Sequence, residues 1–101
     1  WVHIAALYAL LVNVMPSPVV ELNRAVAQGM AYGPEAGLAL LEALADDPAL
    51  RDYAPLPAVR GDLLQKLGRH EEARAAFECA ASLTRNARER EVMLSRALAC
   101  S

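Results

Sequence analysis

Little in this chain of 101 residues equips it for chemistry. It has two cysteines, Cys79 and Cys100, far apart and with no CxxC pair, so neither a disulfide framework nor a zinc ribbon is expected. Its two histidines, His3 and His70, lack a second ligand at metal-binding spacing, so no metal site is assigned. Five scattered glycines form no phosphate-cradling loop, and five aromatics are too few for a stacking platform on single-stranded nucleic acid. A formal net charge of −2 gives no general attraction to DNA or to an anionic membrane. The apolar run Ile4–Val14 is too short for a bilayer span, is broken by Asn13, and lacks the basic flank and cleavage site of a signal peptide. No catalytic residue and no cofactor follow from these residues, and a reducing, cytoplasmic setting is the expectation.

Alanine and leucine are what the chain does have, in six stretches punctuated by helix stops and starts. The first helix is expected over about Trp1–Met15, with Ile4, Leu7, Tyr8 and Leu11 on its packing stripe. Ser17 is a good N-cap with Pro18 at the first helical position, and the second helix then carries Leu22, Ala25, Val26 and Gly29 inward. A third helix is expected from Pro34 to Ala45, and a fourth from about Pro57 to Leu67, with Val59, Leu63 and Leu67 on its stripe. Gly68 suits the left-handed residue that closes that helix. Glu71 and Glu72 open a fifth helix at its positive dipole end, and Asn86 with Glu89 resembles a capping box for a sixth. Between the third and fourth, "ADDPALRDYAPLP" is the loosest stretch, with one helical turn expected after Asp47-Pro48. Nothing alternates with period two, so the chain is all-α.

The helices repeat. Ser17–Leu44 laid over Ala54–Ala81, a shift of 37, puts Pro18 on Pro55, Ala36 on Ala73, Leu40 on Phe77 and Ala43 on Ala80. The second copy has the tetratricopeptide spacing Gly61, Leu64, Leu67-Gly68, Ala73, Phe77 and Ala80. Small residues at a helix crossing let two backbones approach closely, and one bulky residue fills the gap where the helices splay. Each hairpin then leaves an apolar edge for the next to cover. Trp1, Ile4, Ala5 and Tyr8 share the first-helix spacing, so three hairpins in the other phase describe the same pile. The expected architecture is a single TPR-like domain over 1–101: a right-handed α-α superhelix of about six antiparallel helices. An apolar edge beside Trp1 offers a surface for a homodimer.

The remaining candidates are polar. Asn23 and Arg24 sit in an otherwise apolar helix. Arg24 either pairs with Glu21 or Glu35, with Asn23 capping a neighbouring backbone, or both belong to a recognition groove. Arg24 and Arg60 are read as equivalent first-helix cations, the only candidates there for holding a partner's carboxylate tail. Arg85 and Arg88 open a basic run interleaved with Glu89 and Glu91, which reads as a salt-bridged surface or as a docking patch for an acidic partner.

"LYALLVNVMPSPVVELNRAVA", "GPEAGLALLEAL" and "LLQKLGRHEEARAAFECAASLTRNARERE" together resemble the C-terminal extension of a subgroup of extracytoplasmic-function RNA polymerase sigma factors. The resemblance covers essentially the whole chain. It departs at Met15, at Gly61 and Asp62, and toward the C-terminus. It implies a non-catalytic regulatory domain of a bacterial transcription-initiation factor. Its partners would be proteins: the sigma factor's DNA-binding regions, the polymerase core or a regulator. DNA would be read only by sigma regions outside this chain, and a chain opening on Trp1 is expected to be a piece of the longer factor. The alternative is an independent TPR-type adaptor that holds a short peptide in its groove.

Overall fold

The computed structural model describes residues 1–15, 17–45 and 52–100. It is all-helical: α1 (Val2–Val14), α2 (Pro18–Tyr32), α3 (Pro34–Ala45), α4 (Pro55–Lys66), α5 (His70–Leu83) and α6 (Ala87–Ala99). Among the described residues there is no strand, and no helix is long and apolar enough to cross a membrane. The expected helical turn after Asp47-Pro48 lies outside the described residues. The chain, expected as a single domain, divides into two compact units, Trp1–Arg51 and Asp52–Ser101.

Local chemistry sets the helix ends. The Ser17 hydroxyl accepts from Val20 N at 3.3 Å, and Pro18 follows at the first helical position. Gly33, with φ 106°, alone separates α2 from α3, so the two helices must reverse and lie against each other. At the end of α4, Gly68 takes φ 78°; its N–H donates to Gln65 O and that of Arg69 to Leu64 O, both at 3.0 Å. That pair of bonds is the Schellman motif, which satisfies carbonyls the helix end would otherwise orphan. Asn86 accepts from Arg88 N at 2.9 Å and Glu89 N at 3.3 Å, which starts α6.

Within each unit, extensive packing joins consecutive helices: α1 with α2 and α2 with α3, then α4 with α5 and α5 with α6. In each unit the middle helix, α2 or α5, packs extensively on both of its neighbours. In the second unit α5 presents one broad face of Ala73, Ala76, Phe77, Ala80 and Ala81, all buried, with Glu71, Arg74 and Glu78 on the other side. Leu56, Gly61, Leu63 and Leu64 of α4 complete this core, with Ala97 of α6 and Cys100 just beyond it.

Burial sets the repeat at a shift of 36 rather than 37. Leu41 (1% exposed) then falls on Phe77 (0%), Ala25 (0%) on buried Gly61, and Gly37 on Ala73; the first residues of α3 and α5, Pro34 and His70, also coincide. The expected equivalents are displaced: Ala36 and Leu40 are half-buried and Ala43 is exposed. One residue is about 100° of helix, so an offset of one turns the chosen side chains off the buried face. Gly61, Leu67, Gly68, Ala73, Phe77 and Ala80 keep their expected places, with Leu67 half-buried at the cap.

The first helix also turns differently from expectation. Ala5 is its buried residue, with Tyr8, Ala9 and Val12 half-buried, whereas Ile4, Leu7 and Leu11 are exposed. The buried residue of this helix is thus a small one.

Candidate functional site

The second unit carries an apolar groove of about 450 Å³. Pro55 and Ala58 of α4 form one wall, Ala80 and the α5 cap Thr84 the floor, and Val92 and Met93 of α6 the other wall. Arg88 and Glu89, one turn earlier on α6, add a charge of each sign.

Thr84 and Arg90 shape the corner beside it. The Thr84 hydroxyl, buried, donates to Ala80 O at 2.9 Å, and the backbone at Thr84 leaves helical geometry at φ −83° and ψ 129°. Arg90 then donates through Nη2 to Thr84 O at 2.9 Å, tying α6 to the end of α5. The basic run thus splits in role. Arg90 closes the turn, Arg88 lines the groove, and Arg85 stands exposed in the turn between helices. The groove can hold apolar side chains and orient them with one cation and one anion.

A second feature lies along the same unit. Asp62 of α4 accepts from Arg96 Nη2 of α6 at 2.8 Å with one oxygen and faces Lys66 Nζ at 3.1 Å with the other. The Arg96 guanidinium lies over the Phe77 ring, 4.4 Å from its centroid. One arginine therefore bridges α4 and α6 across the aromatic ring that fills the gap between them. Burial pushes the Asp62 carboxyl up, but hydrogen bonds and positive charge from Lys66 and Arg96 outweigh it and hold it below its ordinary value.

A carboxylate depressed in the folded state stabilises above its unfolded pKa and loses that contribution as the pH falls through the folded one. The stability difference between the wild type and Asp62→Asn is therefore expected to be constant above about pH 5 and to shrink below about pH 4. Urea midpoints across that range measure it. A difference of equal size at pH 3 and pH 7 contradicts the assignment.

The other sequence candidates fall as follows. Asn23 and Arg60 are exposed, and Arg24 is half-buried. The Arg24 Nε is buried with no hydrogen-bond partner, so neither Glu21 nor Glu35 pairs with it there. At the shift of 36, Arg24 falls on Arg60, and Arg60 is not part of the groove wall. Cys79 is exposed on α5 and Cys100 is buried just past α6. Reasoning on the sequence missed Arg90 and Arg96. Arg96 meets Asp62 across 34 residues, and no local signal links them.

No family model matches this chain, and no solved structure matches it. It is similar to an uncharacterized protein of Rhizobium meliloti (strain 1021), with 48% identity over 89 residues that make up 88% of this chain. Those residues are 21% of the relative, so the chain corresponds to about a fifth of that longer polypeptide.

Proposed function

We propose that this chain is a non-catalytic, TPR-like interaction domain of a bacterial extracytoplasmic-function sigma factor, acting in the cytoplasm during transcription initiation. The observation that carries the interaction role is the groove between α4, α5 and α6. It is apolar along its walls, open to solvent, and flanked by Arg88 and Glu89. Such a surface suits a protein segment that offers one or two apolar side chains beside a charge.

Two further observations support the reading. Small residues recur at the helix crossings, Ala25 in one unit and Gly61 in the other, which is how helical-hairpin repeats are built. A relative about five times longer than the matched segment fits a role as one domain of a larger factor. The transcription assignment itself rests on the resemblance of "MPSPVVELNRAVA" and "GPEAGLALLEAL" to that sigma-factor subgroup. The domain would dock on the sigma regions, on polymerase core, or on a regulator, and so control the factor without a separate inhibitor.

The test is binding of the purified chain to purified RNA polymerase core and, separately, to the DNA-binding regions of an extracytoplasmic-function sigma factor of this subgroup. Saturable binding to either is expected, weakened about tenfold or more by Val92→Asp in the groove wall. Val92 is 48% exposed, so that change spares the core. Absence of binding to both, or binding that Val92→Asp leaves unchanged, sinks the proposal.

A further inference from the structure

The α6 wall of the groove is a half-helix that buries nothing. Residues 87–92 are all exposed, and Met93 is only half-buried. The side chains that dock α6 in the core come after them: Ala97, and Cys100 just past the helix end. So short a piece of helix with no buried face is marginal in water, because its first turn fixes more dihedrals than its hydrogen bonds repay. The Asn86 cap satisfies the N–H groups of Arg88 and Glu89, which favours a helix here but does not fix where that helix lies.

Arg90 fixes it. The guanidinium reaches back six residues and donates through Nη2 to Thr84 O at 2.9 Å, in a part-buried contact. Thr84 is held in turn, since its buried hydroxyl donates to Ala80 O, and Ala80 and Thr84 form the floor of the groove. Arg90 thus ties wall to floor without lining the groove, whose α6 residues are Arg88, Glu89, Val92 and Met93. A charge-assisted bond of this kind is stronger than a neutral one. The neighbouring charges offer no substitute: Arg85, Arg88, Glu89 and Glu91 form no ion pair among the described residues.

We propose that Arg90 is the positioning residue of the groove, holding the first half of α6 in place so that Val92 and Met93 stand opposite Pro55 and Ala58 before a partner arrives. The proposal rests on the groove being the binding surface. An occupant packed on Val92 supplies the burial that this segment lacks. With Arg90 in place the occupant meets a formed wall; without it, the cost of ordering the segment is subtracted from the affinity.

Hydrogen exchange of the whole chain, read amide by amide, tests the proposal without any ligand. Arg90→Met keeps an aliphatic stem and a similar helix propensity but removes the donor. The amides of residues 91–94 are expected to exchange about tenfold faster in this variant, with those of α4 and α5 unchanged. Arg88→Met, which removes an arginine that ties nothing, is expected to leave all three helices as they are. In Arg90→Met, affinity for polymerase core or for the sigma regions, whichever the wild type binds, is expected to fall about tenfold. Unchanged exchange at residues 91–94 overturns the proposal. So does acceleration spread equally over α4, α5 and α6, acceleration that Arg88→Met reproduces, or an affinity that Arg90→Met leaves as it was. A wild type that binds neither partner counts against the proposed function instead, and the exchange comparison still decides the role of Arg90.

Discussion

Phe77→Ala is expected to destabilise the second unit by about 3–5 kcal/mol, enough to unfold it at room temperature. The ring is fully buried, and its neighbours on α5, Ala73, Ala76, Ala80 and Ala81, are too small to close over the space it leaves. Removing it also strips the surface on which Arg96 lies, so the guanidinium loses its ring contact while Asp62 still needs it. The loss should therefore exceed that of a leucine buried among large side chains able to collapse inward. Urea unfolding followed by circular dichroism measures it. Phe77→Leu keeps most of the volume and is expected to cost about 1–1.5 kcal/mol. If Phe77→Ala costs no more than Phe77→Leu, the ring is not the centre of this core.

That dependence on one aromatic follows from how the unit is built. Alanines bring α4 and α6 close to α5, which leaves little apolar area per residue to bury. A fragment of about fifty residues in this condition sits near the lower limit for independent folding. Its polar bridge is placed accordingly: Arg96 spans the opening above the ring and joins the two helices that lean on α5. Exposed pairs such as Arg74–Glu78, at 3.1 Å on one helix, contribute far less.

What could be read from the sequence was local. Ser17-Pro18, Gly68 and Asn86 each satisfy orphaned backbone groups within a few residues, and the caps they form lie where their chemistry puts them. The small Gly61 with bulky Phe77 was legible for a related reason: only a close crossing calls for glycine in mid-helix. The repeat register was not legible. Leu40 and Leu41 are identical side chains, and a proline match at Pro18 and Pro55 favoured the wrong one by a single residue. Nor was the packing face of α1. A helix with apolar residues all around has almost no amphipathic signal, so four plausible stripe residues turned out to include three exposed ones. The groove was legible only in part: Arg88 was singled out and Pro55 only as a repeat match, whereas Ala58, Val92 and Met93 carry no mark until the helices converge.

Gly61 offers the sharpest measure of how close that crossing is. A Cβ placed there would sit 2.9 Å from Cε1 of Phe77 and 3.0 Å from Cδ1 and Cζ, inside the closest approach that real side chains allow. The ring cannot swing away, because it is fully buried and has Arg96 on its face. In an ordinary helix interior, Gly→Ala stabilises by about 1 kcal/mol through reduced chain entropy. Here overpacking opposes that gain, and Gly61→Ala is expected to destabilise by about 1 kcal/mol net, with the bulkier Gly61→Val costing about 3 kcal/mol. The decisive measurement is a double-mutant cycle. Phe77→Leu withdraws the ring edge that Gly61→Ala strikes, so the two changes together should cost about 1 kcal/mol less than the sum of each alone. Strict additivity, or a Gly61→Ala chain more stable than the wild type, would mean that α4 and α5 stand further apart than this geometry holds them, and the reason for a glycine at the crossing would be gone.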